Sequence, residues 1–398
     1  MFEHVTPYAG DPILGLMDKF ANDSRTDIKV NLGVGVYYTE DGKLPVLECV
    51  KTAEERIVNP SRPRGYLPMD GLAGYKKACQ ALLFGKDSKV IKDGRVATIA
   101  TLGGSGALKV GADFIHEWFP TAKCYVSDPT WGNHISIFEG SGLEVGKYPY
   151  YDEETIGVKF DDMCAFLKTL NENDVVLLHP CCHNPTGVDL SHEQWHTVLD
   201  IIKDKKLIPF MDIAYQGFSD DMDGDAFAIR LAVEKGLTLF VSNSFSKNLS
   251  LYGERVGGLS VVAPTKEEAD TVLGQLKFTV RRIYSSPPSH GNTIVDTVMN
   301  DDELFDQWVG EVYEMRDRIH QMRQKLQDTL TEKLPKRDFS YFTKQQGMFS
   351  FTGLTKPQVI RLRDEFAIYM VENGRMCIAG LNNANVDYVA SSMAEVLK

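Results

Sequence analysis

The chain has 398 residues, of which 43% are hydrophobic and 25% are charged, a composition typical of a globular protein with room for two domains. The formal net charge of -12 argues against nucleic acid or an anionic membrane as the main partner, because both select basic surfaces. No stretch reaches the roughly 18 apolar residues that a membrane helix requires.

The N-terminal stretch MFEHVTPYAGDPILGLMDKF has neither the basic region nor the apolar run of a secretory signal. The seven cysteines are scattered without a CxxC pair, and only Cys181 and Cys182 are adjacent. An odd, unpatterned set of this kind is typical of reduced thiols. The sequence therefore predicts a cytoplasmic protein.

Short apolar runs alternate with helical patterns through the middle of the chain. Two stretches, 107–119 and 193–202, have apolar residues at helical spacing and are predicted helices. The predicted strands are Val96–Ala100, Cys124–Ser127, Val175–His179, Ile208–Met211 and Leu239–Val241. This alternation predicts an α/β fold with a mostly parallel sheet flanked by helices.

From about residue 311 the pattern changes, and it indicates a smaller α+β domain. The predicted elements there are a long helix that ends near Pro335, strand-like segments at 339–342 and 348–354, a helix over 357–372 and a last helix from Val386. The predicted organisation is an N-terminal arm at 1–12, a large domain at 45–312, and a small domain formed by 13–44 with 313–398.

Ligands of parallel α/β sheets bind beyond the carboxyl ends of the strands. The residues that follow the five predicted strands are rich in Gly, Pro, Asn, Asp and Ser. They read GGSGA at 103–107, DPTW at 128–131, HPCCHNPTG at 179–187, DIAYQGF at 212–218 and SNSFSK at 242–247. We therefore expect the chemistry at these five places.

Lys247 is the residue with the sharpest functional indication. Most lysines are solvated surface charges, but Lys247 follows an apolar run, has hydroxyl neighbours and precedes Arg255 by eight positions. A buried lysine near a cation has a lowered pKa and becomes a nucleophile that can react with an aldehyde. The hydroxyls of Ser105, Ser244 and Ser246 could then bind a phosphate together with the arginine.

The other polar residues at the strand ends fit a flat, charged ligand, although each also has a structural explanation. Asp212 could pair with a protonated ring nitrogen or cap a turn, and Tyr215 could donate its hydroxyl or pack. Trp131 could stack on a ring or belong to the core, and Asn184 before proline could bind a ligand or form a turn. The glycines at 103–106 could bind an anion at a helix start or allow a tight turn. Together with the lysine, these residues indicate that the ligand is pyridoxal phosphate.

Four motifs, HNPTG, DIAYQGF, SNSFSKN and GERVGG, resemble in order and spacing the class I aminotransferases, which have the type I fold of the pyridoxal phosphate enzymes. Further matching segments extend from DPIL near residue 11 to GRMCIAG at 374–380, so the resemblance covers essentially the whole chain. It implies a large α/β domain, a smaller α+β domain, pyridoxal phosphate as cofactor, and amino acids and 2-oxo acids as substrates. It also implies a homodimer with shared active sites.

The resemblance implies a role for each matching residue. Lys247 would form the Schiff base and transfer the proton, Asp212 would hold the pyridinium N–H, and Tyr215 would assist catalysis. The cofactor would also contact Gly104, Ser105, Trp131, His134, Asn184, Ser244, Ser246, Arg255 and, from the partner subunit, Tyr66. The substrate would contact Gly35, Trp131, Asn184, Arg375 and, from the partner subunit, Arg281. No metal ligand is expected.

Within the family the chain resembles the aromatic amino acid aminotransferases. The pocket rim is less polar than in aspartate enzymes, and its residues are Tyr38, Leu44, Ser105 and Ser286. Ile283 replaces an asparagine often seen beside Arg281. We therefore expect tyrosine and phenylalanine as amino donors and 2-oxoglutarate as acceptor, with aspartate as the main substrate in the alternative.

Two other functions compete with this one. HEQWH at 192–196 matches the H-E-x-x-H motif of zinc hydrolases, but Ser191 and Gln194 form a predicted capping box that places both histidines in an exposed first turn.

A pyridoxal phosphate lyase, racemase or decarboxylase would use the same lysine and aspartate. The two arginines, Arg281 and Arg375, favour transamination between a dicarboxylate and another amino acid. A silent binding protein is disfavoured because the lysine, aspartate and arginine set is complete.

Overall fold

The computed structural model describes residues 1–8, 10, 12–58 and 63–398. The chain divides into two compact units. One consists of residues 1–44 and 318–398, and the other of residues 45–317. The division into an arm, a large domain and a small domain with the boundaries given above stays a prediction.

Regular structure covers most of the described residues. The strands are β1 Val30–Asn31, β2 Val96–Leu102, β3 Cys124–Asp128, β4 Val145–Pro149, β5 Tyr151–Asp152, β6 Gly157–Val158, β7 Val175–Leu178, β8 Ile208–Ile213, β9 Leu239–Ser244, β10 Val256–Val262, β11 Phe349–Phe351, β12 Ile368–Tyr369 and β13 Arg375–Cys377. The helices are α1 Pro12–Asn22, α2 Glu48–Val58, α3 Ala73–Phe84, α4 Lys89–Lys92, α5 Gly103–Trp118, α6 Gly132–Glu139, α7 Phe160–Leu167, α8 His192–Asp204, α9 Phe227–Glu234, α10 Lys266–Ile283, α11 Ser289–Met299, α12 Asp302–Lys333, α13 Tyr341–Lys344, α14 Lys356–Phe366 and α15 Val386–Leu397.

The unit 45–317 is built on a seven-stranded sheet in the order β2-β10-β9-β8-β7-β3-β4. All neighbours are parallel except β10, which runs antiparallel to both β2 and β9. The mostly parallel α/β sheet expected from the sequence is therefore confirmed. The expectation lacked β4 and β10, whose sequences VGKYP and VGGLSVV contain glycines that interrupt the usual strand pattern.

Helix α5 covers the centre of this sheet. It begins at Gly103, four residues before the predicted start, and buries Leu108, Phe114 and Ile115 in the same core cluster as Phe210 of β8. A Cβ at Gly111 would lie 2.6 Å from the Phe210 ring, so only glycine allows the helix to approach so closely. This close packing fixes the start of the helix against the strand ends.

The other unit, 1–44 with 318–398, contains two small sheets. Strand β1 pairs in parallel with β12, and β11 pairs antiparallel with β13. The predicted strand at 348–354 is confirmed as β11, but the strand predicted at 339–342 is wrong. Asp338 accepts a hydrogen bond from the Ser340 backbone N–H at 2.8 Å, which starts a turn that continues into the short helix α13.

The helix predicted over 357–372 is also too long. Helix α14 ends at Phe366 because Ala367 adopts a left-handed φ of 54° that stops the helix. The chain then enters β12, which pairs with β1. The pairing partner lies more than 300 residues away in sequence, so the local helical pattern could not reveal this end.

All seven cysteines are free thiols and all are buried. Within the described ranges, no helix combines the length and the apolar character that crossing a bilayer requires.

Candidate active site

The register of the central sheet brings several predicted site residues to one edge. Asp212 on β8 pairs with Ser242 on β9, and Gly257 on β10 pairs with Ser244. Because β10 runs antiparallel, its first residues lie beside the carboxyl ends of β2 and β9. The sheet therefore gathers residues from four separate sequence motifs at this edge.

One corner of this edge has the properties of a phosphate site. Helix α5 starts here without a side-chain cap, so the backbone N–H groups of its first turn, which includes Gly104 and Ser105, have no partner within the helix. A Cβ on Gly103 would lie 2.6 Å from Nη2 of Arg255, which places the guanidinium directly against the helix start. A Cβ on Gly104 would lie 3.4 Å from Cβ of Ser244. These groups form a cradle of donors for an anion.

Lys247 lies in a short turn that follows the fully buried strand β9. Its Nζ lies 5.2 Å from the centre of the Tyr215 ring, and among the described residues it has no hydrogen-bond partner. Burial is the main cause that lowers the pKa of Lys247; the negative charge of Asp212 opposes it, the positive charge of Arg255 adds to it, and the net pKa is about 8. About a tenth of this amine is therefore neutral and nucleophilic at pH 7, a far larger fraction than for an ordinary lysine.

Asp212 is held by a short chain of hydrogen bonds. His134 Nε2 lies 3.0 Å from Asp212 Oδ2, and His134 Nδ1 lies 2.9 Å from Thr130 Oγ1. Burial alone would raise the pKa of Asp212, but the hydrogen bond from His134 outweighs it, so the pKa lies below its ordinary value. The carboxylate thus stays ionised and can hold a cationic ring N–H.

A second histidine layer lies behind this pair, and the sequence reasoning did not identify it. The His179 ring lies 5.1 Å from the His134 ring, and His179 Nδ1 accepts the backbone N–H of Asn184 at 3.2 Å. Burial lowers the pKa of His179 to about 3, so this ring is neutral and its accepting Nδ1 leaves the proton on Nε2. The HPCCHNPTG motif and DPTW contained His179 and Thr130, but nothing in one sequence linked them in space.

Three other predicted site residues lie in the same unit. Trp131 is partly buried and packs edge-on against His134 with ring centres 5.1 Å apart. Tyr66 is 95% exposed and has no hydrogen-bond partner among the residues described. Arg281 is exposed, and its guanidinium bonds the Ser285 hydroxyl. Tyr66 and Arg281 are thus placed at the surface, whereas Trp131 joins the Asp212 cluster.

Two predicted residues belong to the unit 1–44 with 318–398. Arg375 is buried on β13, where its Nη2 donates to the Gly33 carbonyl at 2.6 Å and its guanidinium lies 4.4 Å from the Phe349 ring centre. A Cβ on Gly35 would lie 2.7 Å from the same ring, so a side chain there would displace Phe349. Gly35 and Arg375 therefore share one packed cluster around this phenylalanine.

The histidines of HEQWH have a structural role. The predicted capping box of Ser191 and Gln194 is confirmed at the start of α8. The His192 ring stacks on Phe227 with centres 3.7 Å apart, and His196 contacts the same ring edge-on. Within the described ranges, neither histidine belongs to a cluster of three metal-ligating side chains. Among the described residues, His192 and His196 therefore do not form the three-ligand zinc site of a zinc hydrolase.

Residues 27–393 match the sequence model of the family described as aminotransferase class I and II. The chain belongs to this family. The aromatic-amino-acid aminotransferase of Escherichia coli is 57% identical to it over the full length of both chains. The aminotransferase is therefore an enzyme that transfers amino groups, as the resemblance implied.

Solved structures agree with this assignment. The psychrophilic aromatic amino acid aminotransferase of Psychrobacter sp. B6, cocrystallised with aspartic acid, is 69% identical with a TM-score of 0.99 over all of both chains. The aromatic-amino-acid aminotransferase of Burkholderia pseudomallei, covalently bound to pyridoxal phosphate, is 52% identical with a TM-score of 0.98 over the same extent. The α/β fold of this family is thereby confirmed.

Pyridoxal phosphate is the cofactor of the class I aminotransferases, and the residues of this chain fit it. The α5 cradle supplies donors for a phosphate, and Asp212 supplies an ionised carboxylate for a ring N–H. The Lys247 amine, which has a lowered pKa, suits an aldehyde. These three groups match the phosphate, the ring nitrogen and the aldehyde of the cofactor.

Proposed function

We propose that this aminotransferase moves the amino group of tyrosine, phenylalanine and aspartate to 2-oxoglutarate in two half-reactions. The observation that carries this proposal is the Lys247 amine, which has a pKa of about 8 and lies beside Tyr215 without a hydrogen-bond partner among the described residues. The names of the relatives in Escherichia coli and Psychrobacter support the aromatic substrates, and the aspartic acid in the latter's structure supports the dicarboxylate.

Lys247 is the proposed base and acid of the reaction. Pyridoxal phosphate, when bound, supplies an aldehyde for the amino group and a ring that takes up the electron pair left at the α-carbon. A neutral Lys247 Nζ accepts the α-proton of the substrate and returns it after the electrons have moved. Its lowered pKa suits both steps, because an amine with a pKa of about 8 can both accept and donate a proton near neutral pH.

Asp212 keeps the ring protonated in this proposal. Its carboxylate is ionised, and the hydrogen bond from His134 Nε2 orients one oxygen and leaves the other available to the ring N–H. Thr130 fixes the tautomer of His134, because its hydroxyl donates to Nδ1 when Nε2 carries the proton. Asn184 and Tyr215 are proposed to donate hydrogen bonds to the ring oxygen, and Trp131 to stack on the ring.

The phosphate is proposed to bind at the start of α5, where Gly104, Ser105, Ser244, Ser246 and Arg255 supply the donors. Ser244 and Ser246 are both buried, and the Ser246 backbone N–H bonds the Ser244 hydroxyl at 3.2 Å, which fixes its orientation. A helix start and a guanidinium together stabilise a doubly charged group better than either alone.

Substrate carboxylates are proposed to bind to arginines. Arg375 is held by the Gly33 carbonyl and Phe349, so its planar group is already oriented for a bidentate α-carboxylate contact, with Gly35 beside it. Arg281 is proposed to bind the distal carboxylate of aspartate or 2-oxoglutarate. Ile283 beside it is 45% exposed and offers an apolar surface to an aromatic ring.

We further propose a homodimer in which Tyr66 and Arg281 complete the site of the partner subunit. Both side chains are exposed at the surface of their own unit, which leaves them available to a second subunit. Apolar residues are exposed on the same unit, which supports a contact surface there; they are Val46, Val58, Met69, Phe278 and Ile283. The seven buried free thiols support a cytoplasmic location.

The decisive experiment measures steady-state rates with phenylalanine, tyrosine and aspartate as donors and 2-oxoglutarate as acceptor. We expect all three to react, with the aromatic donors at the higher kcat/KM. Lys247→Ala should lower kcat with every donor by more than about 10⁴-fold, since both the nucleophile and the base are lost. A variant that keeps a near-normal rate would refute the assignment of Lys247.

Arg281→Ala separates the two substrate classes. We expect kcat/KM for aspartate to fall by roughly 100-fold or more, since a buried carboxylate would lose its charged partner. The value for phenylalanine should change by less than about threefold, because its ring has no charge to neutralise. Equal losses for both donors would contradict the proposed contact, and a much higher rate for aspartate in the wild type would favour the aspartate aminotransferase alternative.

A further inference from the structure

Cys181, Cys182 and Asp225 form a buried cluster of metal-ligating groups that the transamination chemistry does not use. One sulfur from each cysteine and one oxygen of the aspartate all lie within 4.8 Å of one another. All three side chains are at most 5% exposed. Two sulfurs and one carboxylate oxygen at this spacing are a donor set for a thiophilic divalent cation, and Zn²⁺ is commonly held by such groups.

The backbone places the two adjacent sulfurs on the same side. Consecutive side chains of an extended segment point in opposite directions, but Cys182 has a left-handed φ of 53° that turns the chain between them. The carboxylate of Asp189 accepts the backbone N–H groups of Cys182 and His183, each at 2.7 Å. The loop that presents the thiols is therefore fixed before any ligand arrives.

The third ligand is fixed equally well. Asp225 accepts the backbone N–H groups of Gly217 at 2.8 Å, Ser219 at 3.1 Å and Asp220 at 3.0 Å. Such hydrogen bonds to a carboxylate orient it without preventing metal ligation, and they are usual around metal-ligating carboxylates. The cluster thus has both its ligands and their supporting contacts.

We propose that Cys181, Cys182 and Asp225 bind one thiophilic divalent cation of the Zn²⁺ or Cd²⁺ class, and that its binding inhibits the aminotransferase. Each thiol loses its proton to solvent as its sulfur ligates, so one bound cation releases two protons and no electron is transferred. The carboxylate contributes one oxygen. Two thiolate ligands favour soft cations over Mg²⁺ or Ca²⁺, which prefer oxygen.

Inhibition follows from the position of the cluster, and this part rests on the proposed roles of Asn184 and Tyr215. The Cys182 sulfur donates to the Tyr215 carbonyl at 3.9 Å, and Asn184 is only two residues further along the same loop. A cation that draws the sulfurs together breaks this contact and shifts the loop. Because the cluster is buried, binding should be slow and inhibition should develop with time.

The test uses the reduced holoenzyme incubated with Cd²⁺, with the thiolate-to-cadmium ultraviolet absorption and the bound metal measured after removal of free ion. We expect one Cd²⁺ per chain with a thiolate band in the wild type, and loss of the band in Cys181→Ala and in Cys182→Ala. Cys164→Ala, which removes a buried thiol outside the cluster, and His196→Gln on the α8 surface are the controls and should keep the band.

A wild type that develops no thiolate band after prolonged incubation overturns the site, and so does a band that persists in either alanine variant. Circular dichroism confirms that each variant is folded; if one is not, the wild type and the other variant decide. The wild-type activity should decline at the rate at which the band grows, and Cys181→Ala should not respond to Cd²⁺. Full occupancy with unchanged wild-type activity would overturn the inhibitory role. This outcome leaves the transamination proposal untouched, since that proposal is tested without Cd²⁺.

Discussion

The position of the reactive amine depends on contacts made by its neighbours in the chain. The carbonyl of Asn248, the residue after Lys247, accepts a hydrogen bond from Trp308 Nε1 at 2.7 Å, and Trp308 is fully buried. The side-chain amide of Asn248 donates to the Gln216 carbonyl at 3.4 Å, directly after Tyr215. The lysine and the tyrosine are thus tied to each other through the backbone, which keeps the amine at a fixed distance from the ring.

Trp308→Phe tests this anchor. The phenylalanine ring fills most of the cavity, but the Asn248 carbonyl loses its donor, and an unpaired buried group costs about 1 to 3 kcal/mol of unfolding free energy. We expect that loss in denaturant unfolding, together with a lower kcat because the Lys247 turn is less well fixed. Trp118→Phe at a position that is 50% exposed is the matched control and should change neither. An unchanged stability of Trp308→Phe would show that the anchor is dispensable.

The lowered pKa of Lys247 predicts how the apoenzyme takes up pyridoxal phosphate. Only the neutral amine attacks an aldehyde, and a pKa of about 8 means that the neutral fraction grows as the pH rises through that value. The second-order rate of cofactor uptake should rise about fivefold from pH 7 to pH 8 and less than about twofold from pH 8 to pH 9. Stopped-flow absorbance measures this rate. A rate that still rises about tenfold from pH 8 to pH 9 would indicate an ordinary lysine pKa.

At the scale of elements, the antiparallel strand β10 assembles the phosphate corner. A Cβ on Gly257 would lie 2.4 Å from the Gly103 backbone carbon, so the strand and the start of α5 touch directly. This contact brings Arg255 and Gly103 together, since the backbone N–H of Gly103 donates to the Arg255 carbonyl at 3.0 Å. The cradle therefore depends on a position where no side chain fits.

Gly257→Ala should push β10 away from the helix start. We expect the Kd for pyridoxal phosphate to rise by at least about tenfold and the melting temperature to fall by several degrees, because a backbone clash in a packed core cannot relax cheaply. Gly253→Ala, four residues earlier and with no atom within 4 Å of its added Cβ, is the control. Fluorescence titration and thermal unfolding report the two effects. Equal behaviour of the two variants would contradict this dependence on β10.

The same strand shows what local sequence can and cannot predict. Strands β7, β8 and β9 were predictable because each is a short buried apolar run followed by polar residues, and the family motifs named Lys247 and Asp212. Strand β10 was missed because its two glycines are explained only by contacts with Gly103 and Asn243, which are distant in sequence. For the same reason a single sequence could not connect Thr130, His179 or Trp308 with the site.

At the scale of the whole molecule, the proposed homodimer makes a quantitative prediction. If Arg281 serves the partner subunit's site, a hybrid of Lys247→Ala and Arg281→Ala chains has one site with both changes and one site with neither. Random reassociation yields half hybrids, so aspartate activity should recover to about one quarter of the wild type. Unfolding and corefolding the two variants, followed by an aspartate assay, measures the recovery. No recovery despite confirmed exchange of subunits would refute the shared site.

The long sequence separation between β2 and β10 also affects folding during synthesis on the ribosome. Leu102 of β2 pairs with Val256 of β10, so about 150 residues must be synthesised after the first strand before its neighbour in the sheet exists. A ribosome-bound chain of 250 residues already contains Asp212 and Lys247, yet the slot between β2 and β9 is still empty. Cofactor capture during translation should therefore begin only after residue 262 has left the exit tunnel, and until then the two strand edges depend on chaperones for protection.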